Sequence, residues 1–326
     1  MTAHIPTQIP IQVPREADWD TAPSLIDGAM DLEMTAQDCN LRYWLNAVPE
    51  GTLRGRPDGH DPDLVVPEHM KSGPLYAAIT QEYAFRSVAE EKATRGLAYL
   101  IPIAPDTDTM EFYTTQVFDE CRHAMVFRNH LVALGTPADR LAEAIPAFAG
   151  SYLDSVLEPL EQMALEIMRD DRDFIGGVVM MTIILEGALA PAAELSERKW
   201  RPLDPAAADI DKGAGIDEIR HLTVGAAIAK QHLIDHPGDR ARVLELIQRG
   251  MKLWSELPTH EMVLRREKLF QEGLREHAAV VGDYEIWPGR RLIDTTPEER
   301  LETADRWSTD MKRKRLTDMG LEEAAR

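Results

Sequence analysis

Basic residues are scarce in this chain beside acidic ones. Its 326 residues include 36 Lys and Arg against 56 Asp and Glu, a formal net charge of -20, with a pI near 4.9. A surface of that sign repels phosphate, which argues against nucleic acid or an anionic membrane surface as a partner. Cysteine is nearly absent. Cys39 and Cys121 lie far apart and offer no disulfide framework, so a reducing cytoplasm is expected. The N-terminus has no basic segment followed by an apolar block, so no secretory signal is read there. The longest apolar run, Gly176 to Leu185, is too short to span a bilayer and ends in Glu186. Alternation of Val, Ile and Thr, the mark of half-buried strands, is also scarce.

Helical periodicity fills the space these absences leave. Apolar residues recur at steps of three and four, which predicts helices over 26–47, 74–101, 108–134, 137–169, 173–199, 207–234, 239–275 and 297–319. The class expected is all-α. Residues 1–24, with several prolines, read as an extended arm, and 48–74 as a long loop rich in Pro, Gly and Asp. The division expected is an N-terminal arm, helix and loop over 1–73, a core over 74–234 and C-terminal helices packing on it over 235–326.

Two stretches put charge where burial is expected. Val117 to Phe127 reads VFDECRHAMVF, and Gly215 to Gly225 reads GIDEIRHLTVG, repeating the order D-E-x-R-H. Each falls within a long helix that follows another long helix after a tight connection. Two such helical hairpins predict a four-helix bundle. Residues three apart share a helix face, so Glu120 pairs with His123 and Glu218 with His221. Oxygen and nitrogen ligands of this kind suit iron or manganese. A two-metal carboxylate site needs one more acid from the partner helix of each hairpin. In the second hairpin that acid is Glu186, at the end of the apolar run, where a lone carboxylate is costly. In the first hairpin Glu82 and Glu90 both flank the apolar side of the 74–101 helix and both stay open, while Glu91 faces away in a pair with Arg95. Asp119, Arg122, Asp217 and Arg220 are placed to orient the imidazoles and balance charge. The competing reading is a pair of solvated salt-bridge faces. Phe118, Met125, Phe127, Ile216 and Ile219, crowding the same turns, oppose it. Cys121 is expected to pack, and His130, His232, His236, His260 and His277 to be solvated.

At these residues the sequence resembles the ferritin-like diiron carboxylate superfamily, over roughly residues 74–234. The doubled D-E-x-R-H is most similar to bacterial multicomponent monooxygenase hydroxylases, whose first ligand lies in a G-E-Y-A-like segment; QEYAF at Gln81 to Phe85 resembles it and is the reason Glu82 is preferred. The Glu82-to-Glu120 spacing is similar to that of the acyl carrier protein desaturases, and LEG at Leu185 to Gly187 resembles ribonucleotide reductase small subunits. Chain length and the Glu186-to-Glu218 spacing are similar to stand-alone arylamine N-oxygenases. Three departures stand out. Phe127 sits where the reductase subunits carry a radical tyrosine, Ala190 where the hydroxylases carry a threonine, and Ala214 where the N-oxygenases carry an extra histidine.

The resemblance implies a ferritin-like bundle with flanking helices that binds two Fe ions (Mn/Fe being the other metal pair) through Glu82 or Glu90, Glu120, His123, Glu186, Glu218 and His221. Glu120, Glu186 and Glu218 are the catalytic carboxylates in this expectation. It implies activation of O2 to oxidise a small-molecule substrate, with N-oxygenation of an amine, hydroxylamine or hydrazine favoured. A C–H hydroxylase or desaturase, or a radical-generating or ferroxidase-type subunit, is the alternative. An electron-donor reductase or ferredoxin and a homodimeric state are expected with it. Phe85, Phe127, Met181, Thr182 and Ala190 either line the pocket or simply pack the core.

Overall fold

Short polar side chains begin several of the helices in the computed structural model, which describes residues 13–324. Ser24 accepts from the Asp27 N–H to start α1 (Leu25–Asp31), and Asn40 accepts from Arg42 and Tyr43 to start α2 (Leu41–Gly51). Pro follows Gly73 at the head of α3 (Gly73–Leu97), and Asp106 caps α4 (Thr107–Ala133). A short α5 (Leu141–Ala149) and α6 (Glu158–Leu165) follow, the latter flanked by π-helical turns. Asp173 caps α7 (Phe174–Val179), which runs through a π-helical segment, Met180–Leu185, into α8 (Glu186–Trp200). Asp204 caps α9 (Pro205–Asp235), the longest helix. The chain ends in α10 (Arg240–Glu256), α11 (Thr259–Glu276), α12 (Ala278–Val281) and α13 (Pro297–Asp318). Among the described residues the only strands are a small antiparallel ribbon, β1 (Glu285–Trp287) with β2 (Arg290–Arg291), so the chain is all-α.

Where the expected helices break, local chemistry breaks them. The 26–47 segment splits because Thr35 and Asp38 bond each other's backbone N–H, closing a turn between α1 and α2. The 137–169 segment is interrupted at Gly150, whose φ of 64° suits glycine. The 239–275 segment breaks at Leu257 and Pro258, since proline has no N–H to give. The first half of the expected arm, residues 1–12, lies outside the described residues.

The long helices pack α3 on α4, α8 on α9, and α4 on α9. Their apolar residues form two separate clusters. One joins the start of α3 (Leu75 to Phe85) to the end of α4 (Val126 to Leu134), the end of α8 (Leu195, Trp200) and the start of α9 (Ala207 to Ile210). The other joins Leu97, Phe112 and Tyr113 to Ile175–Ile184 and to α9 from Ile219 to Leu233. Each helix thus enters one cluster with its first half and the other with its second, as neighbouring helices of opposite direction require. Between the clusters lies a layer of charge containing the D-E-x-R-H segments. The helix Phe174–Trp200, close to the expected 173–199, is long and apolar enough overall to cross a membrane although its unbroken apolar run is short, yet 78% of its apolar window is buried within the protein.

Candidate metal centre

The charged layer is assembled from the middles of four helical segments. Glu90 comes from α3, Glu120 and His123 from α4, Glu186 from the π-to-α junction and Glu218 and His221 from α9. One donor atom from each of Glu90, Glu120 and His123 lies within 4.8 Å of the other two, and the same holds for Glu120, Glu218 and His221. Glu120 belongs to both groups. Its Oε2 is 3.6 Å from His123 Nδ1 and its Oε1 is 3.2 Å from His221 Nδ1. Glu218 and Glu186 approach the same His221 nitrogen at 3.8 and 4.0 Å.

The outer nitrogens of both imidazoles are tied to acids of the opposite motif. His123 Nε2 is 3.2 Å from Asp217 and His221 Nε2 is 3.4 Å from Asp119. A carboxylate on Nε2 takes the ring's proton there and leaves Nδ1 as a lone-pair donor facing the glutamates. Arg122 pairs with Asp217, and Arg220 with both Asp119 and Asp217. Two acids thus meet two guanidiniums, which cannot lose their protons, and this outer shell is neutral. The D-E-x-R-H order explains itself: Glu and His point inward, while Asp and Arg cross to serve the other motif.

Several buried atoms in this layer have no hydrogen-bond partner. They are His123 Nδ1, His221 Nδ1, Glu120 Oε1, Glu186 Oε2 and Glu218 Oε2. Buried polar atoms are rarely left unsatisfied, and here five face the same space. Hard oxygen and imidazole donors of this kind fit first-row divalent ions. Four carboxylates also match the charge of two such ions.

Without a cation the layer holds protons instead. Burial pushes the Glu90 carboxyl well above the usual range, and the neighbouring Glu120 pushes it further. Burial and then Glu218 do the same to Glu186. Burial would also raise Glu120, but the imidazoles of His123 and His221 facing it hold it well below the usual range. Burial would lower His221, yet Asp119, Glu120 and Glu218 raise it well above an ordinary histidine. One acid ionised between two acids kept neutral is what like charges at close range produce.

The preference for Glu82 is corrected here. Glu82 is buried, but Lys199 (2.9 Å) and Ser196 (2.6 Å) take its two oxygens and Arg86 stands 3.3 Å away. Those partners hold it ionised and turned from the cluster, and Glu90 occupies the place beside Glu120. Glu91 and Arg95 form the expected exposed pair at 2.7 Å. Other expectations also fail. Phe118 is 56% exposed, Met125 is 37% exposed and Cys121 is exposed, because that face of α4 points outward. His130 is buried, 2.9 Å from Asp204, rather than solvated.

Three contributors escaped the sequence reading. The Gln116 amide donates to Glu186 Oε1 at 2.6 Å. It sits one turn before Glu120, so its face was legible. The Trp44 indole donates to Asp119 Oδ1 at 3.0 Å from α2, and nothing in the local sequence signals it. Tyr113 is buried with its hydroxyl unpartnered, and burial and then Glu186 push its pKa well up.

A cavity of about 490 Å³ opens beside the cluster, lined by Glu90, Glu120, Glu186 and Glu218. Phe85, Phe127, Met181 and Ala190 line it as well; Thr182 instead packs against Gly225. No protein-family model matches the chain, and no curated protein matches it either.

Proposed function

We propose that this chain is an O2-dependent oxidoreductase on a ferritin-like four-helix bundle, binding two iron ions and oxidising a small organic substrate. The favoured reaction is N-oxygenation of an amine, hydroxylamine or hydrazine. The observation that carries the reading is the pair of donor groups sharing Glu120, with orphaned atoms turned on one another in a buried layer. In this reading Glu90, Glu120 and His123 serve one ion, and Glu120, Glu218 and His221 the other, with Glu186 completing the set. Bound iron supplies the electrons and open coordination positions that O2 activation needs, and manganese is the other metal the donors suit.

The chain's own residues do the rest. Asp217 and Asp119 fix the proton of each imidazole on Nε2, so that Nδ1 is always the inward donor. Arg122 and Arg220 keep those aspartates ionised without exchanging protons. Gln116 holds one Glu186 oxygen and leaves the other free. Glu90 and Glu186, raised by burial, hold protons that a bound cation displaces. Phe85, Phe127, Met181 and Ala190 give the cavity apolar walls that limit water at the cluster.

A cavity of this volume is in the range that takes a small organic ligand. Iron storage has no use for it. Phe127, which stands on its wall where the reductase subunits carry their radical tyrosine, has no hydroxyl to form a phenoxyl radical, and the buried Tyr113 does not line the cavity. Both observations favour substrate oxidation over the ferroxidase and radical-subunit alternatives. Each turnover needs two electrons, which come from a reductase or ferredoxin, or from the oxidisable nitrogen of the substrate itself.

Anaerobic loading with Fe(II), counting of iron per chain, and rapid mixing with O2 under visible spectroscopy test the reading. About two irons per chain and a transient absorption whose decay quickens with an amine or hydroxylamine are expected, with the N-oxidised product found by mass spectrometry. A chain that takes up no iron sinks the proposal. Iron that oxidises without any organic product turns it into a ferroxidase.

A further inference from the structure

The cavity carries charge that the carboxylate cluster does not use. Beside it runs a closed ion-pair network. Arg86 pairs with Asp211 at 2.6 Å and Glu82 at 3.3 Å; Lys199 pairs with Glu82 at 2.9 Å and Glu267 at 2.7 Å; Arg300 pairs with Glu267 at 2.5 Å. Three acids meet three bases, so this network is already neutral. Arg266, on α11, lines the same cavity and stands outside that balance. Among the described residues it makes no ion pair or hydrogen bond, and its Nε is buried without a partner. Burial pushes its guanidinium below the ordinary arginine range, and the charge that most opposes this is that of Glu82, whose oxygens other groups already hold.

Arg266 is half-buried, with its Nε closed off and its terminal nitrogens open to the cavity; a guanidinium held there without an acid is costly, and its planar fork matches a carboxylate. The other lone cation on the cavity wall, Lys312, has a counter-charge in Asp305 on its own helix, at the mouth where His260 and Asp305 are exposed. Arg266 is therefore the surplus charge inside. It acts on Glu82, and just over two turns of α3 separate Glu82 from Glu90, roughly 12 Å along the axis. Between them the walls are apolar, with Phe85, Ala89, Leu160, Met262 and Val263.

We infer that the cavity binds an elongated organic acid, with its carboxylate on Arg266 and its oxidisable end at the cluster of Glu90, Glu120 and Glu218. The inference rests on the oxygenase reading of the same site and names the class of its substrate. Arg266 is then a positioning residue: it sets which molecules enter and how far they reach, and takes no part in oxidation.

Binding tests this apart from turnover. The full chain as purified is titrated with 4-phenylbutanoate, 6-phenylhexanoate and octanoate, and with the carboxamide of each, following the fluorescence of Trp254 on the cavity wall and confirming by calorimetry. The acids should bind about tenfold or more tighter than their amides, since a charge-assisted bond replaces a neutral one. Arg266→Gln should reduce that preference to under about twofold while leaving amide binding unchanged, and Arg266→Lys should keep part of it. Equal binding of acid and amide by the native chain overturns the inference without recourse to any variant. So does binding of none of the acids at millimolar concentration, or an acid preference that survives in Arg266→Gln. Acid binding through Arg266 in a chain that takes up no iron would leave this inference standing and remove the oxygenase reading. Iron uptake and O2 consumption without acid preference would do the reverse.

Discussion

Glu82 and Glu90 are the same residue type on the same helix, the first buried and the second half-buried, yet their surroundings assign them opposite chemistry. Glu82 is held ionised by Lys199 and Arg86, whereas Glu90 is pushed towards its neutral form by burial and by Glu120. Replacing each by Gln separates the two roles. Glu82→Gln leaves the buried Lys199 with one acid instead of two, so it should lower unfolding stability by about 3 kcal/mol while iron uptake stays near the native level. Glu90→Gln replaces an acid that is already neutral without metal, so the stripped protein should change by less than about 1 kcal/mol, while iron uptake falls. Chemical denaturation and metal counting on both variants check this together. Iron loss in Glu82→Gln with retention in Glu90→Gln would reverse the assignment. The sequence could not decide between them. On a helical wheel both flank the same apolar side, and the partners that claim Glu82 from outside its own helix, Ser196 and Lys199, lie on α8, far along the chain.

At the scale of elements, the inward pairs Glu120/His123 and Glu218/His221 were legible because a three-residue step on a helix fixes a shared face. The crossing of Asp119 and Asp217 to the opposite imidazoles was foreseen only as an orienting role, since it depends on how closely α4 and α9 approach. The outer face of α4 was misjudged for the opposite reason: apolar Phe118 and Met125 suggested burial, but only neighbouring helices decide which apolar residues are covered. The π-helical segment before Glu186 had no sequence signal at all. It shifts the register of the helix just before Glu186 turns towards the carboxylate cluster, and such segments are frequent at functional sites. Gly225 of α9 faces this segment, and a Cβ there would meet Thr182 Oγ1 at 2.0 Å. Gly225→Ala should therefore destabilise the fold by about 1–3 kcal/mol. Adding Thr182→Ala should recover most of that loss, leaving a nearest approach of 3.1 Å to Cβ. A double-mutant cycle measures the coupling. Additive effects would mean that the two helices do not touch there.

For the whole molecule, two apolar clusters enclose a layer whose charge is balanced by bound protons or by cations, and this ties stability to pH. In the metal-free chain burial raises Glu90 and Glu186 well above their ordinary value of 4.5 and Asp211 to about 6, and carboxylates raise His221 above 6.5. A group whose pKa is higher in the folded state contributes stability that is complete below its unfolded value and is lost as pH rises through its folded one. All four act in that direction. The groups with depressed values, Glu82, Glu120 and Asp217, lose their stabilisation only as pH falls below the ordinary carboxylate range, so they do not offset the trend at neutral pH. The thermal midpoint of chelator-stripped protein should therefore fall from about pH 5 to about pH 8. On the proposed function, two equivalents of Fe(II) under nitrogen would displace the protons of Glu90, Glu186 and the imidazoles, so the folded state would then bind fewer protons than the unfolded one. The loaded protein should become more stable over the same interval, and the two curves should diverge with rising pH. Parallel curves would mean that these acids hold no exchangeable protons at the layer and that iron, if bound, sits elsewhere.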